Sequence, residues 1–579
     1  MRLFVFDAHI RLLAALGAIA LIIGFALRLI LFAVYSADFG WSFLPLLQAL
    51  FFGAINDLFS LAYILIPAAV LALPFGDRLF FTRIGKIYLY ALLFFCAFAI
   101  VFAAAGEYFF WGATHSRFNF IALDYTINGS RLFENAFNAV SIAVILVIAA
   151  IVSALFVFGA SRLFAGSAGS LFAGRTRLAL FWIHAAIAAM IFFAYSPFAV
   201  SESRAFDQLG RNGIYELFSA KRSKAIDRRA FYPSLPKEEA FAIVINEIKG
   251  KGDRFLSDNA KDFIKITAPK TKQISPNVIV VIASGMDKKL LPYAPNINGY
   301  TQDGLSFERL YATGAGAART IEAFSLSLPP IAGDSIIRRI DKPLPSVSTV
   351  FNSRGYASEF IYGGYGYYGN LNNFFSLNGY EIIDRLAFAK ENKTFVSRGR
   401  QSDEDLFAEA IARADRNYVA DRRFFQVLLA SSINAPYNYP RARIDIAPKT
   451  SREGAARYFD YALGRFIDAA RAKPWFENTI FVVLSDRSLG SKSDDPRLAE
   501  YETIGFFYAP KLIAPRKVDT LCSQIDIAPT LFGLLGWGYE SRFFGRDILD
   551  APPSRALVAT NTHLAFAASN GDFVILRPS

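Results

Sequence analysis

Ser284 to Asp287, which follow NVIVVIA, are the residues whose type and place could carry chemistry in this chain. They come directly after an apolar run that reads as a buried parallel strand ending in a loop. In an open α/β sheet, ligands gather outside the carboxyl ends of such strands, so Ser284 to Asp287 stand where a site belongs. Two further hydroxyls, Thr313 and Thr320, lie in YATGAGAARTIEA. A hydroxyl at neutral pH is a poor nucleophile until a base or a metal ion activates it. Imidazole is scarce here: the histidines are His9, His115, His184 and His563, and only His563 lies beyond residue 200, where a surface or packing role suits it. The structural roles open to the hydroxyls are ordinary ones, with Ser284 capping a loop, Thr313 in a turn before a helix and Thr320 in that helix's first turn.

The elements that must position these groups follow from the pattern after residue 276. Strands are expected near 277–283, 306–311, 358–363, 424–431, 478–485 and 503–509, and helices near 319–327, 346–353, 402–415, 452–472 and 523–535. That alternation predicts an α/β domain over 276–579, with a mostly parallel central sheet covered on both faces. About 300 residues suffice for one large core. Residues 201–275 read as a polar helical tether broken at Pro233 and Pro236.

The first third is different. The chain has 579 residues, 54% of them hydrophobic and 15% aromatic, with a mean hydropathy of +0.32 that exceeds an ordinary soluble enzyme's. Only 11 of the 61 Lys+Arg and 7 of the 49 Asp+Glu fall in residues 1–200, which marks that stretch as a membrane domain. Five apolar segments, near 12–35, 43–73, 87–111, 140–159 and 178–196, are each long enough to span about 30 Å of hydrocarbon, giving a five-helix transmembrane bundle. The first is too long for a removable signal peptide and lacks the small-residue cleavage site. Lys and Arg collect at the N-terminus and in loops 75–86 and 160–177, against Arg117 and Arg131 opposite. The positive-inside rule therefore puts the N-terminus in the cytoplasm, and an odd number of spans puts 201–579 outside. Between the third and fourth spans, THSRFNFIALDYTINGS suits a short helix on the outer membrane surface. Arg28 and Asp57 lie well inside spans, where a charge is a functional candidate by default. Either Arg28 snorkels to the outer interface while Asp57 faces a neighbouring helix, or the two pair. Cys96 and Cys522 are too differently placed to be disulfide partners. A net charge of +12 without a nucleic-acid motif suits an anionic membrane surface, not DNA or RNA.

RFNFIALDY, NGIYELF, YATGAGAARTIEAFSLSLPP, FIYGGYGYYGN, DEDL, KPWFENTIFVVLSD and SQIDIAPTLFGLLG occur in this order. Together they resemble the lipoteichoic acid synthase-like phosphoglycerol transferases of the alkaline phosphatase and sulfatase superfamily. The resemblance implies a bacterial inner (cytoplasmic) membrane protein with a large periplasmic or extracellular domain. It also implies a divalent metal, manganese or magnesium, and a threonine that takes glycerol phosphate from a phosphatidylglycerol headgroup. Carried over residue by residue, the pattern breaks. The family's first-strand glutamate falls on Ser284, its nucleophilic threonine on Ala317, and a substrate histidine on Asn434. An expected aspartate falls on Gly369, and the Asp-His pair becomes Asp486-Arg487. Of the expected ligands and nucleophile only Asp486 remains, and one carboxylate does not make a site that needs three or four donors.

The resulting expectation is a pseudoenzyme of the bacterial envelope with an empty metal site and no resident cofactor. It would bind an anionic lipid headgroup or a glycan through Arg319, Arg487 and Asp486, or regulate an active paralogue or the envelope glycan machinery. Two alternatives stay open. One is an active manganese- or magnesium-dependent transferase with a displaced nucleophile. The other makes the membrane bundle around Arg28 and Asp57 the working part.

Overall fold

The computed structural model describes residues 8–39, 42–73, 82–114, 116–118, 139–162, 172–195, 204–223, 232, 234–250, 252–256, 263–333, 335–388, 393–397, 399–486, 498–550, 555–560 and 563–577. Arg487, His115, most of the 114–130 surface stretch and most of the basic run 221–229 lie outside these. The chain forms two compact units that divide after Tyr232. The expected tether 201–275 is split by that division. Its first helices belong to the apolar unit, and Lys237–Ile248 onward to the α/β unit.

The apolar unit contains helices α1 (Ala8–Val34), α2 (Phe43–Leu71), α3 (Arg83–Thr114), α4 (Ala139–Ser161) and α5 (Phe172–Tyr195), followed by the short α6 (Arg204–Gly210) and α7 (Gly213–Ser223). Among the described residues, four helices, at 10–34, 43–71, 83–112 and 143–161, are long and apolar enough to cross a membrane. The fifth expected span also forms a helix, α5. Arg28 does not snorkel. Its guanidinium grips the Asp57 carboxylate, Nη1 on Oδ2 and Nη2 on Oδ1 at 2.8 Å, with both side chains buried.

In the α/β unit, strand β1 (Asn277–Ala283) is central, because every one of its residues is buried and it is apolar from Val278 to Ala283. The other strands of its sheet are β2 (Leu305–Phe307), β3 (Ala357–Tyr362), β4 (Glu381–Asp384), β5 (Phe424–Ala430), β6 (Thr479–Ser485), β7 (Gly505–Tyr508) and β8 (Arg516–Val518). Their order is β8-β2-β7-β6-β1-β5-β3-β4. Strands β6, β1, β5, β3 and β4 run parallel, and β7 joins the edge antiparallel. Alternate residues of β1 feed two layers, as a sheet covered on both faces requires. Val278, Val280 and Ile282 pack with Ile321, Phe324 and Phe532. Ile279, Val281 and Ala283 pack with Leu406, Phe407, Phe459 and Leu463 from the long helices Asp403–Val419 and Arg452–Arg471. The expected strands and helices are present except 306–311, which breaks into Leu305–Phe307 in this sheet and Leu310–Tyr311 in a separate pair with Cys522–Ser523. The short β4, β8 and the helices Pro295–Asp303 and Leu371–Leu377 were not anticipated, nor was a three-stranded antiparallel sheet at 555–576, where His563 closes a hairpin against Thr560.

Candidate functional site

The register of the parallel strands brings the site together. Ala283, the last residue of β1, pairs with Ala430 at the end of β5 on one side and with Ser485 at the end of β6 on the other. Ser284, Ser431 and Asp486 therefore leave the sheet on one rung, although they are far apart in sequence. At Gly285 the backbone turns back with φ +91, a conformation that favours glycine. The turn lets the Gly285 amide donate to Asp486 Oδ1 at 2.7 Å. Ser284 Oγ donates to Asp486 Oδ2 at 3.0 Å, and the Asn434 amide donates to Ser284 Oγ at 3.1 Å. Arg452 fixes the loop from outside, reaching the Gly285 carbonyl and Asp287 Oδ2, each at 2.7 Å.

Asp486 is 1% exposed, and burial pushes its carboxyl up from 3.8 to about 7; the Gly285 and Ser284 hydrogen bonds and the Arg452 charge oppose that rise. The carboxylate is turned inward on protein donors. A divalent cation needs several oxygen, nitrogen or sulfur donors, and among the described residues no group of three or more His, Cys, Asp or Glu is placed to share one. Among the described residues, the groups bonded to the Asp486 carboxylate are the Ser284 hydroxyl and the Gly285 amide.

Three of the expected positions, Ser284, Asn434 and Asp486, thus form one hydrogen-bonded chain. The others lie elsewhere. Ala317 opens the helix Ala317–Leu326 behind Gly316, whose φ of +82 marks the sharp entry to it. Its methyl packs against the apolar layer. Gly369 is exposed with φ +68, where an aspartate would be strained. Arg319 is buried and bonded within its own helix and the loop that follows. Its Nη1 pairs with Glu322 at 3.3 Å, and its Nη2 donates to the Ile331 carbonyl at 2.6 Å and to that of Gly333. The buried Glu322 and the loop carbonyls thus hold the guanidinium. Thr313 and Thr320 are buried and bonded to Gln524, which in turn donates to the Ser485 carbonyl.

A cation that faces a cleft is Arg400, which sequence reasoning missed because it sits in no long periodic element and matches no motif. This small cleft is lined by Ser397, Arg400, Gln401, Ser432, Asn434 and Asn438, among others. Asn434 thus joins the cleft wall to the Ser284-Asp486 pair. Among the described residues no hydrogen bond or ion pair holds the Arg400 guanidinium. Gln401 is buried, and its Oε1 lacks a donor. The DEDL stretch builds the cleft's frame. Asp403 accepts from the Ser431 amide at 3.0 Å and the Ser432 amide at 3.4 Å. Asp405 accepts from the Thr394 and Phe395 amides, both at 3.1 Å, and forms a reciprocal cap with Ser402.

Comparison with known proteins agrees with this fold. The sulfatase family model matches residues 276–537. A sulfatase of Formosa agariphila is 36% identical over 85 residues, 14% of this chain and 17% of that one. Lipoteichoic acid synthase 2 of Bacillus subtilis is 19% identical over 350 residues, 53% of this chain and 54% of its own length. The chain thus spans about half or less of these curated relatives. A crystal structure of an alkaline phosphatase superfamily protein from Vibrio parahaemolyticus superposes with a TM-score of 0.56 at 26% identity, covering 60% of this chain and 88% of that one. Residues 276–537 are therefore similar to the sulfatases, and the α/β domain has a fold like that of an alkaline phosphatase superfamily protein, with apolar helices N-terminal to it.

Proposed function

We propose that this is a pseudoenzyme anchored in a bacterial inner membrane, whose α/β domain binds an anionic lipid headgroup or glycan substituent without cleaving it. By that binding it presents the group to, or regulates, an active relative or the envelope glycan machinery. The observation that carries this reading is the state of Asp486, the one remaining ligand position. Its carboxylate accepts from Ser284 and Gly285 where an active relative would need metal donors, and Ala317 offers no hydroxyl. Arg400 supplies the charge for an anion, as a guanidinium pairs bidentately with phosphate or carboxylate oxygens. The proposed topology has a cytoplasmic N-terminus, α5 as a fifth span through the apolar stretch after Arg177, and the α/β domain on the far side.

The test uses the full chain in lipid nanodiscs with labelled phosphatidylglycerol, with and without manganese. Retained lipid without release of diacylglycerol is expected. Arg400→Ala should weaken retention about tenfold or more, the usual worth of a charge-assisted hydrogen bond. Manganese-dependent release of diacylglycerol would overturn the reading.

A second reading has one observation behind it. Ser284 Oγ donates to a carboxyl that burial holds near 7, a value suited to a general base. In that case Ser284 Oγ attacks phosphorus, its proton passes to Asp486 and the lipid alcohol leaves. Metal-independent turnover that vanishes in Ser284→Ala, with lipid retention intact, would establish this reading in place of the first.

A further inference from the structure

The most tightly satisfied polar cluster outside the strand-end site lies in the apolar unit. Two buried ion pairs, Arg28 with Asp57 and Arg117 with Glu107, join residues of α1, α2, α3 and the turn after it. All four side chains are 5% exposed or less. Both arginines close on the same short segment. Arg117 Nε donates to the Gln208 carbonyl at 3.3 Å and its Nη2 to that of Leu209 at 3.0 Å. Arg28 Nε donates to the Leu209 carbonyl at 3.0 Å and its Nη2 to that of Arg211 at 3.2 Å. The Asn56 amide takes the Gly210 carbonyl at 2.7 Å, and Asn212 returns a bond to Asp57 Oδ1 at 2.7 Å.

The physical logic is that of a helix end. Helix α6 stops at Gly210, so its last carbonyls lack intrahelical donors and carry the negative end of its dipole. Two guanidinium groups and an amide from the surrounding helices supply those donors. The apolar side of α6 is also committed, with Phe206 and Leu209 buried among Leu27, Leu31, Phe39 and Trp111. At Gly213 any side chain would collide with Glu107, since a Cβ would stand 2.0 Å from its Oε1. Arg28 lies six residues before the end of α1, hence about 9 Å inside it at the helical rise per residue. Irregular backbone at such depth is tolerated only when protein groups satisfy it, as these do.

We propose that residues 204–213 are a re-entrant wedge seated inside the bundle at acyl-chain depth, with the two ion pairs acting as one clamp that fixes where the chain leaves the membrane. A surface linker, by contrast, would lie in water.

Thiol accessibility of the full chain in membranes tests this. In a Cys522→Ala background, Leu209→Cys is treated with a membrane-impermeant maleimide, and native Cys96 within α3 reports whether the bundle is intact. The wedge predicts no labelling at 209 in otherwise unmodified chain. It also predicts a rise of about a hundredfold or more when Asp57→Asn breaks one pair, with Cys96 still protected. Rapid labelling at 209 without the Asp57 change overturns the proposal, as does protection that survives Asp57→Asn. If Asp57→Asn exposes Cys96 as well, Glu107→Gln replaces it in the same comparison. Should that variant also expose Cys96, the unmodified-clamp measurement alone decides.

Discussion

At the scale of single residues, Asp486 is the one expected ligand position that the sequence keeps, and its environment makes a pH prediction. Burial raises its carboxyl from 3.8 to about 7, and that of Asp403 from 3.8 to about 6. An acid raised in the folded state binds more protons folded than unfolded. Its stabilising contribution is therefore complete below about pH 4 and is lost as pH climbs through 6 and 7. Asp486→Asn keeps an acceptor for the Gly285 amide and removes the buried charge. Thermal unfolding of the full chain between pH 5 and 8 is expected to show a clearly smaller decline in midpoint for Asp486→Asn. The difference at pH 8 is about 2–4 kcal/mol in the variant's favour. An unchanged pH slope would mean that Asp486 is solvated and that the inward-turned geometry is wrong. Most of these residues were visible in the sequence as types at strand ends. Their mutual contacts were not, because Ser284, Asn434 and Asp486 are brought together only by the register of β5 and β6 on β1.

At the scale of elements, DEDL is a frame for the cleft. The helix Asp403–Val419 begins in a reciprocal cap between Ser402 and Asp405, and the same Asp405 carboxylate holds the amides of Thr394 and Phe395. The segment that carries Ser397, Arg400 and Gln401 is thus tied to the helix start by one buried side chain. Asp405→Ala leaves those amides without acceptors, and should cost on the order of 2–3 kcal/mol in urea unfolding while weakening lipid retention together with stability. Arg400→Ala should weaken retention alone. Equal stability losses in both variants would mean that Arg400 is structural. Element boundaries were legible wherever a hydrophobic run was long, as in β1, β5, β6 and the helix Arg452–Arg471, since periodicity is strongest there. Strands of three or four residues such as β4 and β8 carry too little pattern to be read, and are fixed by the strand beside them.

At the scale of the whole molecule, two units of opposite solvent preference share one chain, and the count of spans decides on which side of the membrane the second works. Among the described residues four helices are long and apolar enough to cross, and α5 begins with two arginines ahead of an apolar stretch. If α5 crosses as proposed, a reporter active only outside the cytoplasm will be active when fused after Ser579 and silent when inserted between Ser161 and Phe172. Activity at both points, or at neither, would refute five spans. Composition and hydropathic pattern by themselves determined the division into an apolar third and an α/β remainder and the near-parallel sheet, because these depend on patterns that each stretch carries locally. Only the tertiary structure decided that Arg28 pairs with Asp57, that Arg319 is tied to Glu322 and its loop, and that Arg400 faces the cleft. An arginine's partner is chosen by which carboxylates and carbonyls the fold brings within hydrogen-bonding distance, and such proximity across many residues leaves no trace in local pattern.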